Sequence, residues 1–163
     1  DRDDLVGEGY AGGVPMGGDL SAAPDAEAKP VFVAAAMRDP APTSAPLQQL
    51  QLIKGWITQE GTRHTEVILI DGTDDASVDR ATGERRGEGH QSLCSVYRDE
   101  SFDPAQPTYY YVRVVENPSA RWSEYDCRRI PEADRPAVCS DGSYPATVQE
   151  MAWSSPIWVE ARN

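Results

Sequence analysis

Basic residues are scarce in this chain: 15 Lys and Arg stand against 27 Asp and Glu over 163 residues, a formal net charge of −12. A field of that sign repels phosphate backbones and anionic lipid surfaces alike, which argues against nucleic acid as a partner. Long hydrophobic runs are missing too. The longest apolar stretch, residues 31–37 (VFVAAAM), is far shorter than the roughly 18 residues that suggest a membrane span, so no membrane span is expected. The first residues, DRDDLVGEG, have neither the basic nor the apolar region of a signal peptide. They begin with Asp rather than Met, and the expectation is a processed product or a piece of a longer chain.

Histidine and cysteine are few. The two histidines, His64 and His90, lack a partner at i+2 or i+4 and read as ordinary surface histidines. The three cysteines match no zinc spacing. Cys127 and Cys139 flank RRIPEADRPAV, a polar loop with two prolines and little core of its own. A bridge across it would contribute roughly 3 kcal/mol by chain entropy; the alternative is a pair of free thiols in a reducing compartment. The expectation is the bridge. Cys94, in the apolar SLCSVY, is expected to be a buried and inert thiol.

Period-two alternation is plentiful. Val31, Val33, Ala35 and Met37 alternate with Phe32, Ala34 and Ala36; Leu50 and Leu52 alternate with glutamines; Tyr110, Val112 and Val114 alternate with Tyr111 and Arg113. Residues 67–70, 93–97 and 156–160 add shorter candidates, and residues 47–57 with 65–70 read as a hairpin. Turn signals rich in Gly, Pro and Asp separate them, among them RDPAPTSAP, DGTDDAS and ATGERRGEGH. The fold class is therefore all-β, an antiparallel Ig-like β-sandwich over residues 30–163, behind a glycine-rich lead-in of residues 1–29. One short helix is expected near the C-terminus in ATVQEMAW, where Thr147 and Glu150 have capping-box spacing and Pro156 ends the helix.

Gly7, Gly9 and Gly12 match G-x-G-x-x-G, but a dinucleotide site needs a strand before the glycines and a helix after them. Neither flank, DRDD or GVPMGGDLS, fits. Gly13 and Gly18 have Walker separation, yet Asp19 and Leu20 stand where Lys and Ser/Thr are required. The stretch reads as a structural turn that uses glycine for positive φ. DGTDDASVD is acidic enough for calcium but lacks the EF-hand order of ligands.

The aromatic residues are more telling. Alternation sends Tyr110 inward and leaves Tyr109 and Tyr111 on the opposite face with Arg113. Tyr and Arg together make the composition of an interface hot spot, and such a face can also stack on a sugar or simply pack within the domain.

Four blocks, GGVPMGGDL (12–20), LQQLQLIKGW (47–56), SVYRDESFDPAQPTYYYVRVVENPSARWSEYD (95–126) and TVQEMAWSSPIW (147–158), resemble the C-terminal portion of the DUF3604 family. Members of that family resemble PHP-type metal-dependent hydrolases, with a metal-binding His, Asp and Glu cluster in an N-terminal barrel followed by a β-rich part. The resemblance implies that this chain carries no catalytic, cofactor or metal residue of its own, any divalent metal belonging to the catalytic part upstream. It implies a partner, that N-terminal catalytic barrel, and a periplasmic or extracellular location. Some relatives have a cysteine near Thr82 or Gly83 that could partner Cys94; none stands there in this chain, which leaves Cys94 free. The expected function is a non-catalytic accessory domain that packs on the barrel and walls its cleft through Tyr109, Tyr111, Arg113, Arg121 and Trp122. The rival is a free-standing extracellular module that binds glycans or proteins through the same aromatics. No nucleophile, base and orienting group can be assembled from the sequence, so an enzyme complete in this chain is the weakest reading.

Overall fold

The computed structural model describes residues 5–162. A short helix, α1 (Leu5–Gly12), leads into β1 (Asp19–Leu20), β2 (Val31–Met37), the hairpin β3 (Leu47–Ile57) and β4 (Arg63–Gly72), and the short β5 (Ser77–Val78) and β6 (Arg85–Arg86). Then follow β7 (Ser92–Arg98), β8 (Thr108–Glu116), β9 (Ser119–Ala120), helix α2 (Trp122–Arg129), β10 (Thr147–Val148), β11 (Met151–Trp153) and β12 (Ile157–Val159). The protein is mainly β.

Six of the twelve strands among the described residues join one sheet, ordered β1-β12-β8-β3-β4, with β11 on the same edge of β8 as β12. All its pairings are antiparallel except β1 with β12. A second layer, the β2–β7 pair, lies over one face. The core between them follows from the alternation: Phe32, Ala34 and Leu93 point down from the pair, and Leu50, Leu52, Tyr110 and Val159 point up from the sheet. Leu50 and Leu52 are each at most 1% exposed, so truncating either would leave a cavity in the centre of the molecule.

Three expectations need correction. The segment expected to be helical, with Thr147 and Glu150 as its capping box, is extended: Thr147–Val148 pairs with β9, and Met151–Trp153 pairs with β8 through Met151↔Val115 and Trp153↔Arg113. Pro156 limits any helix there to about two turns, too short to persist in water without packing, while the edge of β8 offers a full set of backbone partners. The short helix near the C-terminus lies instead at α2, where Glu124 in the first turn and Arg128 and Arg129 in the last oppose the helix dipole.

Second, Gly7, Gly9 and Gly12 lie in α1 and not in a turn. The turn comes later, where the Gly18 amide donates to Pro15 O and Gly17 adopts φ 86°, so glycine's conformational freedom is used at that position. Third, Cys94 is exposed. The sheet covers β7 on one side only, so alternation that buries Leu93 turns its neighbour out to solvent.

Candidate functional site

The second layer covers one face of the large sheet; among the described residues no second layer covers the other, where Ile53 and Val115 are buried beneath neighbouring side chains and Val67, Leu69, Trp153 and Trp158 are exposed. On β8, Tyr110 is 1% exposed in the core while Tyr109, Tyr111 and Arg113 project from the open face, as alternation requires. Register then decides their neighbours. On β3, Gly55 lies opposite Tyr109, Ile53 opposite Tyr111 and Gln51 opposite Arg113; on the other edge Trp158 lies opposite Tyr109 and Trp153 opposite Arg113.

These residues form a connected surface. The Tyr109 and Tyr111 rings are nearly parallel, 6.3 Å apart, and Trp158 tilts against Tyr109 at 5.2 Å. Tyr109 lies across Gly55, where a Cβ would overlap its ring. A glycine in mid-strand marks such a close approach, and it was the unread sequence signal for this site. Arg113 Nε donates to Gln51 Oε1 at 2.7 Å, which fixes the guanidinium on the face. Val67 and Leu69 extend the surface onto β4, and Met151 extends it onto β11. Val67, Leu69, Trp153 and Trp158 are each 51–60% exposed. Among the described residues that register sets on this face, Asp19, opposite Trp158, is the one carboxylate, in a chain with 27 acidic residues.

Arg121 and Trp122 lie elsewhere. Arg121 precedes α2 and its amide donates to Ala146 O; Trp122, the first residue of that helix, is exposed. Among the described residues, no recorded hydrogen bond, ion pair or ring contact joins them to the Tyr109 group. The five residues singled out in the sequence thus form a sheet-face set of three and a separate pair at a helix start. A disulfide joins Cys127 of α2 to Cys139 in the 3-10 turn Ala137–Cys139. No residue of α2 is buried, so the cross-link substitutes for a core. Reduction is expected to raise the intact mass by the hydrogens taken up and to destabilise this region by about 3 kcal/mol, read as faster amide exchange over residues 122–139 with the large sheet unchanged.

One polar group of the core escaped the sequence reading. Asp99 is fully buried, and both its oxygens are engaged: Oδ1 accepts from the Ser101 amide at 2.9 Å and hydroxyl at 2.7 Å, and Oδ2 accepts from Tyr110 OH at 2.6 Å and faces Lys54 Nζ at 2.7 Å. Lys54 Nζ also donates to Ser101 Oγ and lies 5.2 Å from the Trp56 ring centroid. Burial opposes ionisation of Asp99, but the hydrogen bonds from Lys54, Tyr110 and Ser101 and the lysine's charge outweigh it and hold the carboxyl below its usual range. Burial, with help from Asp99, pushes the Tyr110 phenol far up. An open groove runs past this group, lined by Lys54, Trp56, Glu66, Ser101 and Thr108. A carboxylate with every acceptor position occupied has none left for substrate, so the group serves the fold.

Among the described residues, no cluster of His, Cys, Asp and Glu could hold a metal ion, and no helix is long and apolar enough to cross a membrane. Residues 1–161 match the model of a family described as a protein of unknown function, DUF3604. No curated protein and no solved structure matches the chain.

Proposed function

The chain belongs to the DUF3604 family, and from that premise we propose that it is a non-catalytic accessory domain, an Ig-like sandwich forming the C-terminal part of a larger PHP-like metallohydrolase. Its open face packs on the catalytic barrel and walls the cleft. The observation that carries this reading is the face itself: Tyr109, Tyr111, Arg113, Trp153 and Trp158 flanked by Val67, Leu69 and Met151, with Asp19 the one carboxylate among the described residues that register sets there. Large aromatics and a held arginine with few carboxylates are the composition of a desolvated interface core. Antiparallel pairing and a core between two layers support the sandwich, and the disulfide supports a periplasmic or extracellular setting. The divalent metal and its ligands belong to the barrel.

A second reading, a free-standing glycan-binding module, rests on the parallel Tyr109 and Tyr111 rings beside Trp158, a platform on which a sugar could stack. The aliphatic border of Val67, Leu69 and Met151 favours a protein surface instead. Hydroxyl-radical footprinting compares the isolated chain with the full-length polypeptide. Trp153, Trp158 and Met151 are expected to be oxidised readily in the former and protected in the latter, with Trp122 as an internal reference on another element. Equal oxidation of the sheet-face residues in both forms refutes docking through this face.

A further inference from the structure

The second layer is only a pair of strands, and the two edges of that pair differ. Hydrogen bonds from the Asp99 amide to Pro30 O and from the Arg38 amide to Gln91 O fix the phase of the ladder: the even-numbered residues of β2 bond to β7. The backbone groups of Val31, Val33, Ala35 and Met37 therefore point away from β7, and among the described residues no strand lies beyond β2 in its sheet. On the opposite edge, Asp71 Oδ2 accepts from the outward Cys94 amide at 2.9 Å, so β7 is guarded by a side chain of β4. β2 has none of the usual protections, because VFVAAAM contains no charge, proline or bulge. Its outward side chains are apolar and open, up to 85% exposed at Met37.

We propose that β2 is a self-association edge, on which a second copy of this chain adds its own β2 antiparallel to form a continuous β7-β2-β2-β7 sheet about a two-fold axis. Phase and charge select this occupant. Full overlap of residues 31–37 sets Ala34 on the axis, Val31 opposite Met37 of the second copy and Val33 opposite its Ala35. All four residues have their backbone groups turned outward, as hydrogen-bonded pairs require. At its ends the same register sets Lys29 opposite Asp39 of the second copy, but the Lys29 ammonium already donates to Phe102 O and Asp39 Oδ1 accepts from the Ala41 amide, so the flanks add no ion pair. An uncharged edge is also the part of such an acidic chain where two copies meet with least repulsion. The interface is isologous and closes on itself, which limits assembly to a dimer.

The test is sedimentation velocity over a concentration series under conditions that keep the disulfide, in a Cys94→Ser background that removes the exposed thiol next to the edge. The expected result is a concentration-dependent monomer–dimer equilibrium. Val33→Pro removes an outward amide that bonds nothing within β2–β7 and is expected to weaken association at least about tenfold, because each copy loses a bond. The circular dichroism and urea midpoint of Val33→Pro are expected to match those of the parent, which separates a lost contact from a lost fold. A chain that stays monomeric throughout overturns the proposal. So does a dimer insensitive to Val33→Pro, or one abolished by Trp158→Ala, which locates the contact on the opposite face.

Discussion

Asp99→Ala is expected to destabilise the domain by about 3–5 kcal/mol, a large part of the roughly 5–15 kcal/mol that holds a typical domain folded. The size follows from what remains behind. Lys54 and Asp99 have side chains only 6% and 0% exposed. Removing the carboxylate strands the Lys54 ammonium and the Tyr110 and Ser101 hydroxyls in the core without their acceptor. An unpaired buried charge costs far more than a salt bridge contributes. Lys54→Met combined with Asp99→Ala removes both charges and is expected to recover part of the loss, read from urea midpoints. Equal stability of Asp99→Ala and the parent chain would mean that the group is not buried as described.

The same group sets a pH dependence. The Asp99 carboxyl is held below its ordinary value in the folded state. As pH falls, the unfolded chain takes up the proton first, near about pH 4. The stability contributed by ionised Asp99 is thus full above that range and is lost as pH falls through the folded-state value. The tyrosines act oppositely. Burial pushes Tyr110 and Tyr97 up, so their contribution is full below about pH 10 and is lost as pH rises towards their folded-state values. In Asp99→Asn the acid limb is expected to flatten.

Trp153→Ala with Trp158→Ala is expected to have the second large effect, on docking rather than on folding. Both side chains are more than half exposed, so the isolated domain should keep its unfolding free energy, read from urea titration, to within about 1 kcal/mol. Central interface tryptophans cost about 2 kcal/mol or more each when truncated, so in the full-length polypeptide the closed arrangement should weaken by upwards of about a hundredfold. Limited proteolysis reads this as faster cleavage between this domain and the proposed barrel. Arg121→Ala with Trp122→Ala provides the contrast: these residues start α2, away from the stacked rings, and the double variant should have the smaller effect. The reverse order would move the docking surface from the sheet to the helix.

The long strands were legible because their cause is local. Val31–Met37, the Leu47–Ile57 hairpin arm and Thr108–Glu116 each carry their own alternation, and alternation alone chooses a buried side. The sides of Tyr109, Tyr110 and Tyr111 followed from it. Met151–Trp153 was not legible. Three residues give too little pattern to outweigh a capping box, and their conformation is decided by the free edge of β8. Cys94 failed for a related reason, since alternation gives a phase but does not say whether a second layer covers the other side.

By itself the sequence determined a β-rich acidic chain, the inward and outward phase of its main strands, and an aromatic row on β8. Those properties arise from residues within a few positions of one another. Only the tertiary structure decided that Gly55 lies under Tyr109, that Trp153 and Trp158 from separate strands flank β8, and that Lys54 meets Asp99 in the core. Each depends on which strands pair and in what register. A register is selected by the burial and hydrogen bonding of the whole sheet at once, and no local stretch of sequence carries that sum.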